Sequence, residues 1–372
     1  MLNGTRVIDA DGHLNDWHLD WERLLPPDLG PGATRSVRDR QGFPHLQVDG
    51  MLLPGSERDD LDYHDLEAVM KQMTRDGRYW LPLRPGEEDP VQRLPDMDEM
   101  GIDVAVLFGG HCLLVASVVE SPDIAAATLR VYNDYLAGYC ATAPDRLKGV
   151  AMIPMQSPKV AADELRRAVN ELGFVAGVLP PHHKNGTMLA DPSLEPIWDA
   201  AEELNVPICI HTIGIQISPA APLAPGQIMG ETYGGFPSML ALGSVVLGGV
   251  LERHPNLRVA FLEAGAGWVP YVMDRLQESY ETFSLHAEKL PRDPEDYIRG
   301  GQVYIATEPE ERALPLVAEL LGEDYLVLGS DYCHPEGMCP FTMTALAERA
   351  DLSDDLKRKI LYENPTRLYG LS

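Results

Sequence analysis

Eight short apolar runs rich in β-branched residues recur along the chain, and amphipathic stretches separate most of them. The runs cover residues 6–13, 103–110, 147–154, 174–181, 206–212, 257–265, 302–309 and 325–331. The stretches between them include VAADELRRAVNEL (160–172) and SLEPIWDAAEEL (193–204), whose apolar residues follow helical spacing. Because strand and helix alternate over eight units, the sequence predicts an α/β fold, a parallel (β/α)8 TIM barrel.

Two stretches interrupt this repeat, after the first and the fifth predicted strands. Residues 15–90 contain QGFPHLQVDGMLLPG, which predicts a small hairpin, and residues 213–240 are rich in Pro, Gly, Ala and Met. Loops after barrel strands line the mouth of the active site, so we expect both insertions to shape a substrate pocket, although surface decoration would also explain either. No linker-like segment divides the chain, which predicts a single domain over residues 1–372.

Charge and cysteine content exclude several classes of function. The chain has 57 acidic and 30 basic side chains and a formal net charge of −27, which repels phosphate backbones and anionic membrane surfaces. We therefore expect neither nucleic acid nor a membrane as a partner, and with no signal pattern we expect a soluble, cytoplasmic protein. The five cysteines are scattered, which favours buried free thiols over disulfides or a thiolate zinc site. The oligomeric state stays open, a homo-oligomer included.

The first predicted strand ends in the sequence Asp-Ala-Asp-Gly-His, residues 9–13. Side chains alternate along a strand, so Asp11 and His13 point to the same side and can bind one ion together. Asp16 follows three residues later and could reach back to the same ion or to a second one. A DxH pair alone is also common as a hydrogen-bonded pair at the end of a strand. The residues at the ends of the other strands are therefore needed to distinguish metal binding from hydrogen bonding.

Further residues of metal-ligand type stand at the ends of other predicted strands. His211 ends the fifth, Glu263 the sixth and Asp331 the eighth, and His334 follows three residues after Asp331. In a barrel, the ends of the strands converge on one axis. Carboxylates and imidazoles gathered in one small buried volume need a cation to offset their repulsion and desolvation. The sequence therefore predicts a metal centre.

The chain resembles a known family over residues 6–371. Its segments VIDADGHLND, RLPDMDEMGIDVAVLF, HPNLRVAFLEAGAGW, GSDYCHPEG and ILYENPTRLYGL look like the amidohydrolase-related branch of the amidohydrolase superfamily. That branch includes aminocarboxymuconate-semialdehyde decarboxylase and other aromatic acid decarboxylases. The resemblance implies that Asp11, His13, His211 and Asp331 match the metal ligands of the family.

Two departures from the family pattern bear on the reaction. The first strand carries DxH where many relatives carry HxH, and Glu263 stands where the decarboxylases have a histidine that serves as acid or base. Four carboxylates and three imidazoles are too many for one tetrahedral zinc, and an oxygen-rich set suits iron or manganese. This set resembles that of the dinuclear oxygenases of the superfamily.

Our leading hypothesis is consequently an oxygenase. It holds two iron ions, or iron and manganese, and uses O₂ to hydroxylate a C–H bond of a small-molecule substrate. The alternative hypothesis is hydrolysis or non-oxidative decarboxylation of an aromatic or carboxylic acid, with zinc as a further possible metal.

Four other residues are weaker candidates, and ordinary packing or solvent exposure would explain each of them. His182 and Glu308 follow the fourth and seventh predicted strands, so we predict catalytic roles for them. Trp268 and Tyr332 follow the sixth and eighth strands, and we predict that they form an apolar wall for the substrate.

Overall fold

The computed structural model of the protein describes residues 2, 4–38, 44–53, 84–212, 229, 232–283, 285, 289–332, 334 and 338–371. Eight parallel strands form one sheet in the order β1-β5-β6-β7-β8-β9-β10-β11, which confirms the predicted barrel. Each strand lies inside one of the predicted runs. Their bounds are β1 Ile8–His13, β5 Val104–Phe108, β6 Leu147–Met152, β7 Ala176–Leu179, β8 Ile208–His211, β9 Val259–Leu262, β10 Val303–Thr307 and β11 Leu326–Leu328.

Helices follow the strands and cover the outside of the barrel. They are α1 Trp21–Leu24, α2 Pro90–Met100, α3 Cys112–Val118, α4 Pro122–Cys140, α5 Pro158–Leu172, α6 Glu195–Leu204, α7 Phe236–Leu247, α8 Val250–Arg253, α9 Val269–Thr282, α10 Pro294–Ile298, α11 Leu314–Leu321, α12 Thr342–Ala347, α13 Asp354–Arg358 and α14 Asn364–Tyr369. Short 3₁₀ segments cover Pro27–Gly32, Pro85–Glu87, Pro192–Leu194 and Glu323–Tyr325, and a π-helical turn covers Lys359–Glu363. Helices α5 and α6 coincide with the two amphipathic stretches named above.

Local sequence signals set where helix α2 begins and ends. The carboxylate of Asp89 accepts a hydrogen bond from the Val91 N–H at 2.8 Å, and Pro90 occupies the first turn. Gly101 ends the helix in the left-handed region, at φ 76°. A side-chain acceptor at the start and a glycine at the end satisfy backbone groups that the helix leaves unpaired. These caps fix the two ends of α2. The helix carries Arg93, which donates a hydrogen bond to the carbonyl oxygen of His13 in β1.

The first insertion contains the predicted hairpin. Strands β2 Arg35–Arg38, β3 Pro44–Val48 and β4 Met51–Leu53 form a separate antiparallel sheet. Asp49 and Gly50 connect β3 to β4 with φ values of 49° and 78°, the conformation of a two-residue turn with both residues left-handed. Most of the second insertion, residues 213–228 with 230 and 231, lies outside the described residues, so its part in shaping the substrate pocket stays a prediction.

The barrel strands are buried along almost their whole length, as expected for parallel strands covered on both faces. Four cysteines are buried and free, in agreement with the prediction, and they are Cys112, Cys140, Cys209 and Cys339. Among the described residues we find no helix with the length and apolar character needed to cross a membrane.

Candidate metal centre

Three predicted ligands meet at the carboxyl ends of β1 and β8. The Nε2 atom of His13 lies 3.5 Å from one carboxylate oxygen of Asp11, and the Nε2 atom of His211 lies 3.4 Å from the other. All three side chains are buried. The Nδ1 atoms of the two imidazoles face backbone oxygens, those of Gly109 at 3.0 Å and Thr212 at 2.7 Å. Such contacts fix the ring orientation, so each Nε2 is presented to the centre.

Within the part of the chain that the structure describes, the facing atoms of this group make no hydrogen bond. Among the described residues, both carboxylate oxygens of Asp11 and the Nε2 atoms of His13 and His211 are buried without a hydrogen bond. Buried polar atoms are almost always paired, because an unpaired one loses its hydration without compensation. Four such atoms that converge on one point fit a bound cation, and a mixed carboxylate and imidazole set suits a divalent transition metal.

Glu263 and His334 extend the group on one side. With His13 they form a second set of ligand atoms within 4.8 Å of one another. The His334 Nδ1 lies 2.9 Å from one oxygen of Glu263, and its ring stacks on that of His13 with centroids 4.2 Å apart. The other oxygen of Glu263 lies 3.4 Å from the Nε2 of His211. His334 is 27% exposed, so it opens towards the mouth of the barrel.

The two sets share His13, whose Nδ1 already faces the Gly109 carbonyl oxygen. A single Nε2 lone pair binds one ion, so the described ligand atoms favour one ion over the two that we expected from the ligand count.

Charge compensation links the members of the centre. Burial opposes a charged imidazole at His211, but Asp11 and Glu263 outweigh this effect and raise its pKa to about 9. Burial likewise opposes the charge on Glu263, yet the two neighbouring imidazoles of His211 and His334 lower its pKa to about 2. Burial and these same imidazoles hold the pKa of His13 well below its usual range. Without an ion, protons on histidines therefore balance the carboxylates, and a cation would replace them.

The backbone at two strand ends adopts a conformation that is rare for side chains other than glycine. Glu263, directly after β9, has φ 51°, and Asp331, after β11, has φ 45°. Such left-handed conformations cost roughly 1–3 kcal/mol and cluster at functional sites. Strand β1 also has an irregular register with β5 between Asp9 and Gly12. These distortions lie beside the residues that form the centre.

Two of the seven predicted ligands, Asp16 and Asp331, belong to neither ligand set. The carboxylate of Asp16 lies 3.1 Å from the His111 Nδ1 and accepts a hydrogen bond from the Cys112 N–H at 2.7 Å, and Asp16 belongs to neither ligand set. The side chain of Asp331 also lies outside both sets, although its N–H donates to the Asp11 carbonyl oxygen at 3.0 Å. Metal binding by these two residues stays a prediction.

The two predicted catalytic residues lie outside both ligand sets. His182 is buried, with its Nδ1 3.2 Å from the His183 carbonyl oxygen and its Nε2 unpaired among the described residues. Glu308 is half-buried, and its N–H donates to Glu311 at 3.1 Å. Their catalytic roles stay predictions.

The two predicted substrate-binding residues are packed inside the protein. Trp268 donates its indole N–H to the Gly265 carbonyl oxygen at 2.8 Å and lies edge-on against Phe261. Tyr332 is fully buried and donates its hydroxyl to Asp96. These contacts fit a packing role, and substrate binding by either residue stays a prediction.

Sequence reasoning did not single out several residues that support the centre. Arg93 of α2 is fully buried and donates to the His13 carbonyl oxygen at 2.9 Å. Glu311 accepts hydrogen bonds from the N–H groups of Ala266 and Gly267 at 2.9 and 2.6 Å, which anchors the loop that follows Glu263. The signal for Arg93 was its place in the quoted segment RLPDMDEMGIDVAVLF, but a lone arginine on a helix gives no hint of its partners.

An apolar cavity adjoins the centre at His211. Apart from His211 and Cys112, its described lining is formed by aliphatic, methionine and proline side chains: Leu113, Ala116, Met152, Ile153, Val178, Leu179 and Pro180. The cavity has a volume of about 10 Å³, which is room for about one water molecule, so this wall excludes bulk water from one side of the centre.

Comparison with known proteins identifies the family. The sequence profile of the family described as amidohydrolase matches residues 8–371. The chain belongs to the amidohydrolase family. The resemblance to its decarboxylase branch is confirmed: 2-amino-3-carboxymuconate-6-semialdehyde decarboxylase of Dictyostelium discoideum is 28% identical over 316 residues, 84% of each chain.

A second relative and a solved structure agree with this membership. Gamma-resorcylate decarboxylase of Rhizobium sp. is 30% identical over 281 residues, 69% of this chain and 80% of the relative. The crystal structure of 5-carboxyvanillate decarboxylase from Novosphingobium aromaticivorans, with manganese and 4-hydroxy-3-methoxy-5-nitrobenzoic acid, has a TM-score of 0.70 at 19% identity. It covers 99% of this amidohydrolase and 96% of its own chain, which shows the shared fold. The two relatives by sequence are decarboxylases, which favours our alternative hypothesis over the oxygenase.

Proposed function

We propose that this amidohydrolase is a divalent-metal-dependent, non-oxidative decarboxylase of an aromatic or similarly unsaturated carboxylic acid. The observation that carries the proposal is the set of four buried, unpaired ligand atoms of Asp11, His13 and His211. The decarboxylases among the relatives supply the reaction class, and fold analogy alone would be a weaker warrant.

In this proposal Asp11, His13 and His211 hold one ion, with Glu263 beside them. Manganese suits this mixed oxygen and nitrogen set, and the carboxyvanillate decarboxylase structure contains it. When bound, the ion would supply positive charge that attracts the substrate carboxylate. The apolar wall beside His211 would exclude water from that side of the ion.

The protein must also deliver one proton. A proton adds to the carbon that bears the carboxylate, the bond between that carbon and the carboxylate carbon breaks, its electron pair returns to the unsaturated system, and CO₂ leaves. We assign the proton to Nε2 of His334, because its Nδ1 lies 2.9 Å from Glu263 and this contact orients the ring. His334 is also the more exposed partner of this pair, 27% against 16%.

The substrates named for the relatives define the chemical class to test. Gamma-resorcylate and 5-carboxyvanillate carry the carboxylate beside a carbon with a hydroxyl group, and 2-amino-3-carboxymuconate semialdehyde carries it beside a carbon with an amino group. An electron-donating neighbour stabilises the positive charge that protonation places on the unsaturated system. We therefore propose an ortho-hydroxy or ortho-amino carboxylic acid.

The experiment uses metal-free protein reloaded with Mn²⁺ and incubated with a panel of ortho-hydroxy and ortho-amino benzoic acids without oxygen. We expect CO₂ release and, in D₂O, one deuterium at the carbon that lost the carboxylate. The matched control acids carry the hydroxyl in the meta position. Turnover that requires O₂ and yields a hydroxylated product would overturn the proposal in favour of the oxygenase.

A further inference from the structure

The barrel has a seam between its first and last strands. The ladder of the eight-stranded sheet begins at β1 and ends at β11, with no backbone pairing between these two strands among the described residues. They nevertheless pack closely, because a Cβ atom on Gly329 would lie 2.5 Å from the Cβ of Asp11. The seam therefore lies directly beside a proposed metal ligand.

The side chain of Asp9 bridges this seam. One of its carboxylate oxygens accepts a hydrogen bond from the Ser330 N–H at 2.8 Å, and the other accepts one from the Ser330 hydroxyl at 2.6 Å. The Asp331 N–H donates to the Asp11 carbonyl oxygen at 3.0 Å. Asp9 and Ser330 are both fully buried. The Asp9 carboxylate and the Asp331 N–H thus together join β1 to the segment that follows β11.

The positively charged Arg93 of α2 lies beside the buried Asp9 carboxylate and attracts it. A Cβ atom on Gly12 would lie 2.7 Å from the Arg93 Nη2 and 2.8 Å from an Asp9 oxygen, so both groups face the same glycine. The Arg93 Nη1 donates to the His13 carbonyl oxygen at 2.9 Å. The guanidinium also lies 3.6 Å from the ring centroid of Tyr332, which follows the seam on the other side. Arg93 therefore contacts both edges of the seam.

We propose that Asp9, Ser330 and Arg93 are positioning residues that close the barrel and fix the metal ligands of β1 relative to the loop after β11. That loop carries Asp331 and His334, whereas β1 carries Asp11 and His13. The inference rests on the proposed metal centre, but the bridge itself consists of contacts that do not depend on an ion.

The register of β1 explains why side chains help to connect β1 to the segment after β11. Strand β1 has an irregular register at residues 9–12, and a regular backbone ladder to β11 would have to follow that irregularity. The Asp9 carboxylate and the Arg93 guanidinium reach across this irregular stretch and still contact the residues on both sides of the seam. Groups that orient metal ligands in this way commonly change metal affinity by roughly 10–100-fold when they are removed.

The test measures the Kd for Mn²⁺ of metal-free wild type, Ser330→Ala, Arg93→Met and Asp9→Asn by calorimetry, together with thermal denaturation. Gln302→Ala is the matched control, because Gln302 is also buried and its amide donates to the carbonyl oxygens of Leu251, His254 and Leu257 at the opposite end of the barrel. We expect the three seam variants to bind Mn²⁺ roughly 10–100-fold more weakly than wild type, and the control to lose stability at unchanged Kd. Ser330→Ala is the mildest of the three changes. It keeps the test valid if Arg93→Met or Asp9→Asn, which each remove a charge, fails to fold.

Equal Kd values for wild type and Ser330→Ala would overturn the inference, and so would an equal loss of affinity in Gln302→Ala. If wild type binds no Mn²⁺, the proposed function fails, and hydrogen exchange then decides the seam separately. The amide of Ser330 should exchange more slowly in wild type than in Asp9→Ala, because the Asp9 carboxylate accepts its hydrogen bond and alanine has no side-chain acceptor. Equal exchange in both proteins would contradict the bridge.

Discussion

The Nε2 atom of His211 lies 3.4 Å from a carboxylate oxygen of Asp11, although the two residues are 200 positions apart in the sequence. The barrel brings the ends of their strands together, and neither atom has a hydrogen bond among the described residues. The positively charged His211 imidazole and the Asp11 carboxylate attract each other, and this attraction holds the two side chains close together. Tests of this pair are therefore tests of the whole centre.

Replacement of an imidazole should remove metal and leave the fold. We expect His13→Ala and His211→Ala to bind Mn²⁺ at least about a hundredfold more weakly, because each removes one ligand, and to lose CO₂ release in parallel. Calorimetry and circular dichroism measure both properties. His254→Gln is the control, since His254 is also buried beside carboxylates, those of Glu195 and Glu202 at 3.0 and 3.2 Å, away from the centre. Full metal occupancy in either alanine variant would place the site elsewhere.

Metal affinity should rise with pH. The pKa of His211 is raised to about 9 in the folded protein, so between pH 7 and pH 9 an arriving ion must displace a proton. Displacement of one proton predicts an affinity for Mn²⁺ that increases about tenfold for each pH unit in this window. Calorimetry in buffers of different ionisation enthalpy counts the released protons. A Kd that stays constant from pH 7 to pH 9 would contradict the assignment.

The same shift affects the metal-free fold. Because the folded pKa of His211 lies above its ordinary value of 6.5, its stabilising contribution is complete below pH 6.5 and is lost as the pH rises through 9. His211→Asn should remove that dependence. Urea unfolding of both metal-free proteins between pH 6 and pH 9 measures the difference, and parallel profiles would count against it.

Glu263→Gln keeps the volume of the side chain and removes its charge. We expect one ion per chain to remain, while kcat falls by roughly a hundredfold because the His334 imidazole loses the carboxylate that orients it. Metal analysis and steady-state kinetics separate the two effects. Loss of a second equivalent of metal in this variant would instead support a dinuclear centre.

Glu311 should stabilise the two loops that flank the centre. Its carboxylate accepts hydrogen bonds from the N–H groups of Ala266, Gly267 and Glu308. We expect Glu311→Ala to lower the free energy of unfolding by about 2 kcal/mol, since hydrogen bonds to charged groups contribute roughly 1.5–3 kcal/mol each and this side chain is half-buried. Glu319→Ala, an exposed carboxylate on α11, is the control. Urea unfolding curves measure both, and equal stabilities would refute the role.

Glu87 should make the stability of the fold decline as the pH rises from 4.5 to about 8. Burial raises its pKa from 4.5 to about 8, although the Arg84 N–H donates to it at 2.9 Å. The folded state therefore holds this proton more tightly than the unfolded state, and stability declines between pH 4.5 and pH 8 by up to roughly 1.4 kcal/mol for each pH unit. In Glu87→Gln this decline should be absent. Unfolding of both proteins at several pH values provides the test, and identical slopes would disprove it.

Local patterns were enough to predict the frame of this protein and the centre of its site. Strand alternation placed Asp11 and His13 on one side of β1, and the apolar run before His211 identified a strand end. The Asp49 and Gly50 turn was visible as a hairpin signal. These features depend on spacing over a few residues, which the sequence displays directly.

The prediction of seven metal ligands depended on the directions of loop side chains, which local sequence patterns do not determine. Spacing alone suggested that Asp16 could reach the ion, but in the fold its carboxylate binds the Cys112 N–H at the start of α3. Position along a strand predicts the side on which a residue lies, whereas the direction of a loop side chain depends on which backbone donors the next element presents. The expected dinuclear oxygenase rested on that count.

The sequence by itself determined the barrel, its eight strands and the three residues whose unpaired atoms converge. Only the tertiary structure decided that Asp9 binds Ser330 across 321 residues of chain, and that Arg93 is buried beside Asp9. The physical reason is that the spacing of apolar residues in a strand or helix is a short-range property, which a few consecutive residues reveal. Pairing across the barrel seam depends instead on the closure of the whole sheet, which brings together groups that no local pattern relates.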